Sequence, residues 1–166
     1  LDLIAKMRPG LIQLEIGVQS TNPNTIREIG RTMNFPKVAS AVARVKACQN
    51  THQHLDLIAG LPFEDYESFR KSFDDVYALR PEQLQLGFLK VLKGSRMYEQ
   101  AQQYGVVWQE RPPFEVLKTN WLSYGEVLAL KRVEEMVEVY YNSGQFACTL
   151  PKLEKRFQSP FRMFEA

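Results

Sequence analysis

Gln19, Asp56 and Arg31 are the residues of this chain whose types and spacing could do chemistry. Gln19 offers an amide donor and an acceptor. Asp56 puts a carboxylate into a stretch otherwise made of Leu, Ile and Ala, a placement that is costly unless the charge is paired or meets a ligand. Arg31 follows Gly30, a position from which a guanidinium reaches either helix-terminal carbonyls or a site beyond them. The chemistry on offer is polar recognition of a ligand. Each residue also has a plainer reading: Gln19 as a turn cap before Ser20-Thr21-Asn22, Asp56 as half of a structural ion pair, Arg31 as a helix-end residue.

The elements around them decide whether they can meet. Residues 11–18 form a nearly continuous apolar run, as in a parallel strand covered on both faces. Asn22, Pro23 and Asn24 start a helix over 24–29, which Gly30 ends. Asn34-Phe35-Pro36 opens a helix to about residue 49, with Val38, Ala41, Val42 and Val45 on one face. A strand follows over 54–58, broken at Gly60-Leu61-Pro62. Glu64 and Asp65 then lead a helix with Phe69, Phe73, Val76, Tyr77 and Leu79 at helical spacing, stopped by Arg80-Pro81. Residues 83–92 read as a third strand. The alternation predicts parallel strands with right-handed crossovers. In such folds ligands gather at the carboxyl ends of the strands, so Gln19, Ser20, residues 56–61 and residues 87–93 share one rim. Alternation also turns Glu15 to the face of Gly17 and Gln19. Beyond Ser95 the pattern predicts a helix over 96–103, an irregular stretch over 106–113, and a long helix over 122–141 carrying Leu128, Leu130, Val133, Met136, Val137 and Tyr140. Short helical pieces with Phe157, Phe161 and Phe164 complete it.

The segment GVQS, a Gly-Arg pair at a helix end, and DLIAGLP at one βα interval resemble radical S-adenosylmethionine (SAM) enzymes of the oxygen-independent coproporphyrinogen oxidase type, and cobalamin-linked radical SAM proteins. The resemblance covers residues 10–95. GFLKVLKGS, PPFEVLKTNWLSY and RVEEMVEVYYNSG look like the tail of cobalamin-binding-domain radical SAM proteins, close to the anaerobic magnesium-protoporphyrin monomethyl ester cyclases. The implied fold is α/β: the C-terminal part of a radical SAM partial TIM barrel, with three parallel strands and crossover helices over residues 1–95, and a helical C-terminal extension over 96–166.

The resemblance also implies roles. Gln19 and Asp56 would bond the ribose hydroxyls of SAM, and Arg31 its methionyl carboxylate. Ile58, Gly60 and Leu61 would pack on the adenine, and Gly87, Phe88 and Leu89 would offer backbone groups to its edge. The family's C-x-x-x-C-x-x-C motif, whose thiolates hold a [4Fe–4S] cluster, is absent, and so is the glycine-rich SAM segment. Both are expected upstream of Leu1, so the fragment alone would be inactive. The intact protein would generate a 5′-deoxyadenosyl radical for oxidoreductase or methyl-transfer chemistry on a small-molecule substrate, with cobalamin involved if such a domain precedes this segment.

Bulk properties agree with a globular domain. The chain has 166 residues, 45% hydrophobic and 24% charged. A net charge of +2 gives no case for a nucleic-acid or membrane partner. The opening LDLIAKMRPG reads as a helix tail cut mid-element, with no signal-peptide pattern. Cys48 and Cys148 stand far apart and read as reduced thiols of a cytoplasmic protein, Cys48 as a buried apolar group. His52 and His54 read as strand-end residues away from the rim, and Trp121, Tyr124, Tyr140 and Tyr141 as core or interface aromatics. Lys90, Lys93 and Arg96 read either as solvated or as contacts for an acidic substrate. Ser20 has no His placed to make it a nucleophile. A cut barrel would leave an edge and apolar faces open, and dimerisation through that edge is an expectation. Two other classes stay in view: a non-catalytic α/β module that binds a nucleotide-like ligand or a partner, and an aldolase-like barrel with Lys90 as its Schiff-base candidate.

Overall fold

Three strands, β1 (Ile12–Gln19), β2 (Thr51–Ala59) and β3 (Gln83–Phe88), pair in sequence order, and both pairings are parallel. The structure is a computed structural model describing residues 3–166. Of the helix tail expected at the start, Leu1 and Asp2 lie outside the described residues, and Ile4–Lys6 forms a turn of 3-10 helix. The crossovers carry α1 (Pro23–Glu28) and α2 (Phe35–Ala47) between β1 and β2, and α3 (Tyr66–Tyr77) between β2 and β3. The N-caps are Asn22, Asn34 and Asp65, each accepting a backbone N–H through its side chain. Gly30 (φ 71°) ends α1, and the Arg31 amide donates to the Ile26 carbonyl at 3.0 Å. That wrap satisfies the helix end through the backbone and leaves the Arg31 guanidinium free for other work.

Alternation along the strands sorts the two sheet faces. Leu55, Leu57, Ala59, Leu84 and Leu86 are buried with Phe69, Phe73, Val76 and Tyr77 of α3. The other face is polar: Glu15, His54 and Gln83 lie in one register row, and Gly17, Asp56 and Gln85 in the next. The alternation puts Glu15 on this face with Gly17 and Gln19, and in the structure His54, Gln83 and Gln85 join them. Such groups keep their hydration or meet polar partners.

The second half builds on this sheet. After α4 (Arg96–Glu99), β4 (Val107–Trp108) and β5 (Val116–Lys118) form a two-stranded antiparallel sheet where an irregular stretch was expected. The Val116 amide donates to the Leu89 carbonyl at 2.8 Å, tying β5 to the end of β3. The helix expected over 122–141 is α5 (Tyr124–Val137), opened by a Ser123–Glu126 capping box and continued as a π-helix over Glu138–Asn142. Its core stripe is Val127, Leu130, Val133 and Val137, while Leu128 and Tyr140 face outward. Asn142 accepts from the Leu84 amide and donates to the Leu84 carbonyl, both at 3.0 Å, so one side chain caps the outer edge of β3. α6 (Leu150–Leu153) and α7 (Pro160–Glu165) complete the chain. Phe161 and Phe164 of α7 are buried against α3, whereas Phe157 is exposed. Cys48 is not buried: it caps the end of α2, half exposed, with Sγ 3.5 Å from the Arg44 carbonyl. No helix among the described residues is long and apolar enough to cross a membrane.

Candidate functional site

Gly17 is the point around which the candidate residues gather. It pairs in register with Asp56, and a Cβ on it would stand 2.6 Å from Gln19 Nε2 and 3.6 Å from Arg31 Nη1. The missing side chain is therefore what lets an amide and a guanidinium come together over the end of β1. Gln19 gets there through a strand irregularity. The register shifts between Gly17 and Gln19, and Gln19 has a left-handed backbone (φ 68°). A non-glycine residue in that region costs of order 1–3 kcal/mol and persists where its surroundings hold it. Bulges of this kind re-aim side chains beside active sites.

The plainer readings of the three residues lose ground here. The turn after β1 is capped by Ser20, whose Oγ accepts from the Asn22 amide at 2.9 Å, and by Asn22 itself. Among the described residues Gln19, Arg31 and Asp56 have no side-chain hydrogen bond or ion pair. The Oδ1 atom of Asp56 is buried without a partner. Burial pushes the Asp56 carboxyl above its usual range, the Glu15 carboxylate pushes the same way, and His54 opposes them. A carboxylate, an amide and a guanidinium without side-chain partners thus offer their polar atoms around Gly17.

A cavity of about 410 Å³ opens at the carboxyl ends of the strands, within the size range of small-molecule sites. Of the nine residues expected to bind, Gln19, Asp56, Ile58, Gly87, Phe88 and Leu89 line it. Arg31 lines a separate hollow that it shares with Gly17. Gly60 and Leu61 line neither. Leu61 is buried in the core, and a Cβ on Gly60 (φ 88°) would stand 2.8 Å from Val116 Cγ1, so the bare Cα admits β5 and not a ligand. Gln85 lines the cavity next to Asp56 in register, and sequence reasoning missed it. The signal was present in the alternation Gln83, Gln85, Gly87, whose polar members fall on the inner face. Gly17 was missed too, because its value depends on the Arg31 side chain arriving from another element.

The rim is held by a buried polar cluster. Ser20 Oγ donates to Glu64 Oε1 at 2.6 Å, and Ser72 Oγ donates to the same oxygen at 3.0 Å. The Thr21 amide donates to Ser72 Oγ at 3.0 Å, and Thr21 Oγ1 to Asp75 Oδ2 at 2.7 Å. The end of β1 is thus bonded to α3. Glu64 and Asp65 were expected to lead the helix as an acidic start; Glu64 is fully buried, and Asp65 does the capping. Burial pushes the Glu64 carboxyl up to about 7 against the two serine hydrogen bonds. On the open face, the His52 and His54 rings meet edge to face at 4.8 Å. No group of three or more His, Cys, Asp or Glu residues among those described is arranged to hold a metal ion.

Comparison with known proteins places this geometry. Residues 102–166 match the family described as "Protein of unknown function (DUF4080)". No curated protein gives a significant match. Coproporphyrinogen III oxidase (HemN) from Escherichia coli, whose structure is described as that of a radical SAM enzyme, is similar at 28% identity over 50% of this chain and 19% of its own, with a TM-score of 0.47. The archaeal Methanocaldococcus infernus Elp3 with an N-terminal deletion is similar at 19% identity over 75% of this chain and 27% of its own, with a TM-score of 0.53. The chain spans well under a third of either relative. Its three parallel strands and crossover helices have the α/β fold of part of a TIM barrel, the fold it shares with the Elp3 structure.

Proposed function

We propose that this chain supplies one half of a SAM pocket in a radical SAM enzyme acting on a small-molecule substrate. The observation that carries the reading is the convergence of Gln19, Arg31 and Asp56 around Gly17, with Asp56 Oδ1 buried and unpartnered. Asp56 and Gln19 accept from and donate to the two ribose hydroxyls, a match of acceptor and amide to a diol. Arg31 takes the methionyl carboxylate with its fork of donors. Ile58 gives the adenine an apolar surface, and Gly87, Phe88 and Leu89 line the cavity at its edge, the Leu89 amide and carbonyl being engaged by Ala59 and Val116. SAM, when bound and reduced, supplies a radical that removes hydrogen from the substrate. The residues here orient the nucleoside and keep water from it.

The chain's own thiols do not suit a [4Fe–4S] cluster. Cys48 sits at the end of α2 and Cys148 is exposed in the tail. The cluster of this reading therefore belongs to residues outside the chain. β1 is paired only to β2 among the described residues, which leaves its outer edge where a preceding barrel strand would add. The net reaction of this reading is oxidoreductase or methyl-transfer chemistry on that substrate.

Titration calorimetry of the whole protein with SAM tests the reading. Asp56→Ala is expected to weaken SAM binding by about ten- to a hundredfold, the worth of a hydrogen bond to a charged group. Arg31→Leu is expected to weaken SAM more than 5′-methylthioadenosine, which lacks the carboxylate. Wild-type SAM affinity in the Asp56 variant would rule the pocket out.

A further inference from the structure

Lys90 lines the same cavity as Asp56, Gln85 and Gly87, at the far side of the rim from Arg31. Its backbone is held from two directions. The Leu89 amide donates to the Ala59 carbonyl at 2.9 Å, and the Val91 amide to the Phe114 carbonyl at 2.9 Å. Lys90 itself bridges Glu115 in antiparallel fashion. A lysine on a loose loop explores solvent; this one starts from a fixed point beside the cavity.

Its charge is also left uncancelled. Glu115, the acid directly across the bridge, is engaged by Lys131, whose ammonium lies over the Phe88 ring at 4.3 Å. Glu28 is taken by Arg96 at 3.2 Å and by the Tyr104 hydroxyl. Lys90 has no ion-pair partner among the described residues. The carboxylate that shares its cavity, Asp56, is committed to ribose in the proposed pocket.

Arg31 and Lys90 stand at opposite sides of the rim. Arg31 acts at β1 and Lys90 follows β3, two strand spacings away, which is roughly 10 Å. With a carboxylate held at Arg31 over β1, the Lys90 ammonium over β3 remains for a second anionic group. Resting on the SAM reading for the identity of the first, we infer that Lys90 is the contact for an anionic group, a carboxylate or a phosphate, on the small-molecule substrate. The substrate class is then an organic acid or phosphate ester whose anionic end lies over β3, with its reacting part toward Gln19.

The test follows the lysine directly. Lysines of the whole protein are reductively methylated with 13C-formaldehyde, which keeps their charge, and the Lys90 resonance is assigned by its loss in Lys90→Arg. Citrate and pyrophosphate are titrated as carboxylate and phosphate probes, with and without saturating SAM. The Lys90 signal is expected to shift saturably with at least one probe, and the probe acting at lower concentration names the anion. The Lys93 and Lys118 signals are expected to stay in place. Lys90→Gln is expected to weaken that probe about tenfold, Lys90→Arg to restore it, and neither to change SAM affinity. A Lys90 signal unmoved by both probes, equal probe affinity in Lys90→Gln, or a matching loss of SAM affinity would overturn the assignment. Failure of SAM to bind while Lys90 still answers the probes would count against the SAM pocket and not against the anion contact.

Discussion

Phe73→Ala is expected to remove about 3–5 kcal/mol of folding free energy, the range for deleting a fully buried aromatic ring. Phe73 lies on α3 with no exposed surface. Its ring stacks on Tyr77 at 5.7 Å and meets Phe161 and Phe164 edge to face at 5.4 and 5.9 Å. Those partners come from different parts of the chain: Tyr77 from the same helix, the two phenylalanines from α7. The side chain thus joins the tail to the helix that supports the sheet. A loss of this size is a large share of the 5–15 kcal/mol typical of a domain. Urea unfolding read by tryptophan fluorescence would measure it, since Trp108 and Trp121 both lie in the second half. Phe161→Ala should cost a similar amount, and the double variant should cost less than the sum, because each change empties part of the same contact. A loss below about 1 kcal/mol would mean that the tail does not hold α3 in the way described.

Raising the pH from 5 to 8 is expected to weaken the fold through Glu64. Its carboxyl titrates at about 7 in the folded chain against an ordinary 4.5, with burial as the leading cause. Between those values the folded state keeps a proton that the unfolded state has released. Stability therefore falls as pH rises from about 4.5 and levels off above about 7. A shift of that size corresponds to roughly 3 kcal/mol. Below pH 4.5 both states are protonated and the residue contributes no dependence. Glu64→Gln removes this titration while keeping an oxygen for Ser20 and Ser72. It adds an amide whose N–H groups replace the unpartnered Oε2, so the variant should be less stable than wild type at pH 5. The gap should narrow or reverse by pH 8. Denaturation midpoints of both proteins at the two pH values give the answer, and a gap independent of pH would show that Glu64 does not change protonation in that window.

Much of this protein is determined locally and can be read from the chain. The strand–helix alternation, the Asn22, Asn34 and Asp65 starts and the stops at Gly30 and Arg80 follow from short-range chemistry, and the observed elements begin and end within a few residues of where these signals place them. Gln19, Asp56 and residues 87–89 could be assigned to one rim because parallel strands bring their carboxyl ends together whatever the details of packing. The features that required the tertiary structure all depend on distant partners. The Gln19 bulge, Gly17 as the meeting point of Gln19 and Arg31, and Gly60 as a seat for Val116 each concern atoms from two elements. In α5 and its π-helical continuation, helical spacing alone admits Leu128 and Tyr140 to the core stripe; in the structure Val127 is buried in contact with the core and those two face outward. Glu64 is an acid in an acidic helix start by sequence and a buried carboxyl by structure, because Ser20 and Ser72 arrive from 44 residues before it and 8 after it. Local sequence carries periodicity and caps, which act over a turn of helix or a pair of strand residues. The placement of a side chain against another element is set by packing summed over the whole core, and no single segment contains that sum.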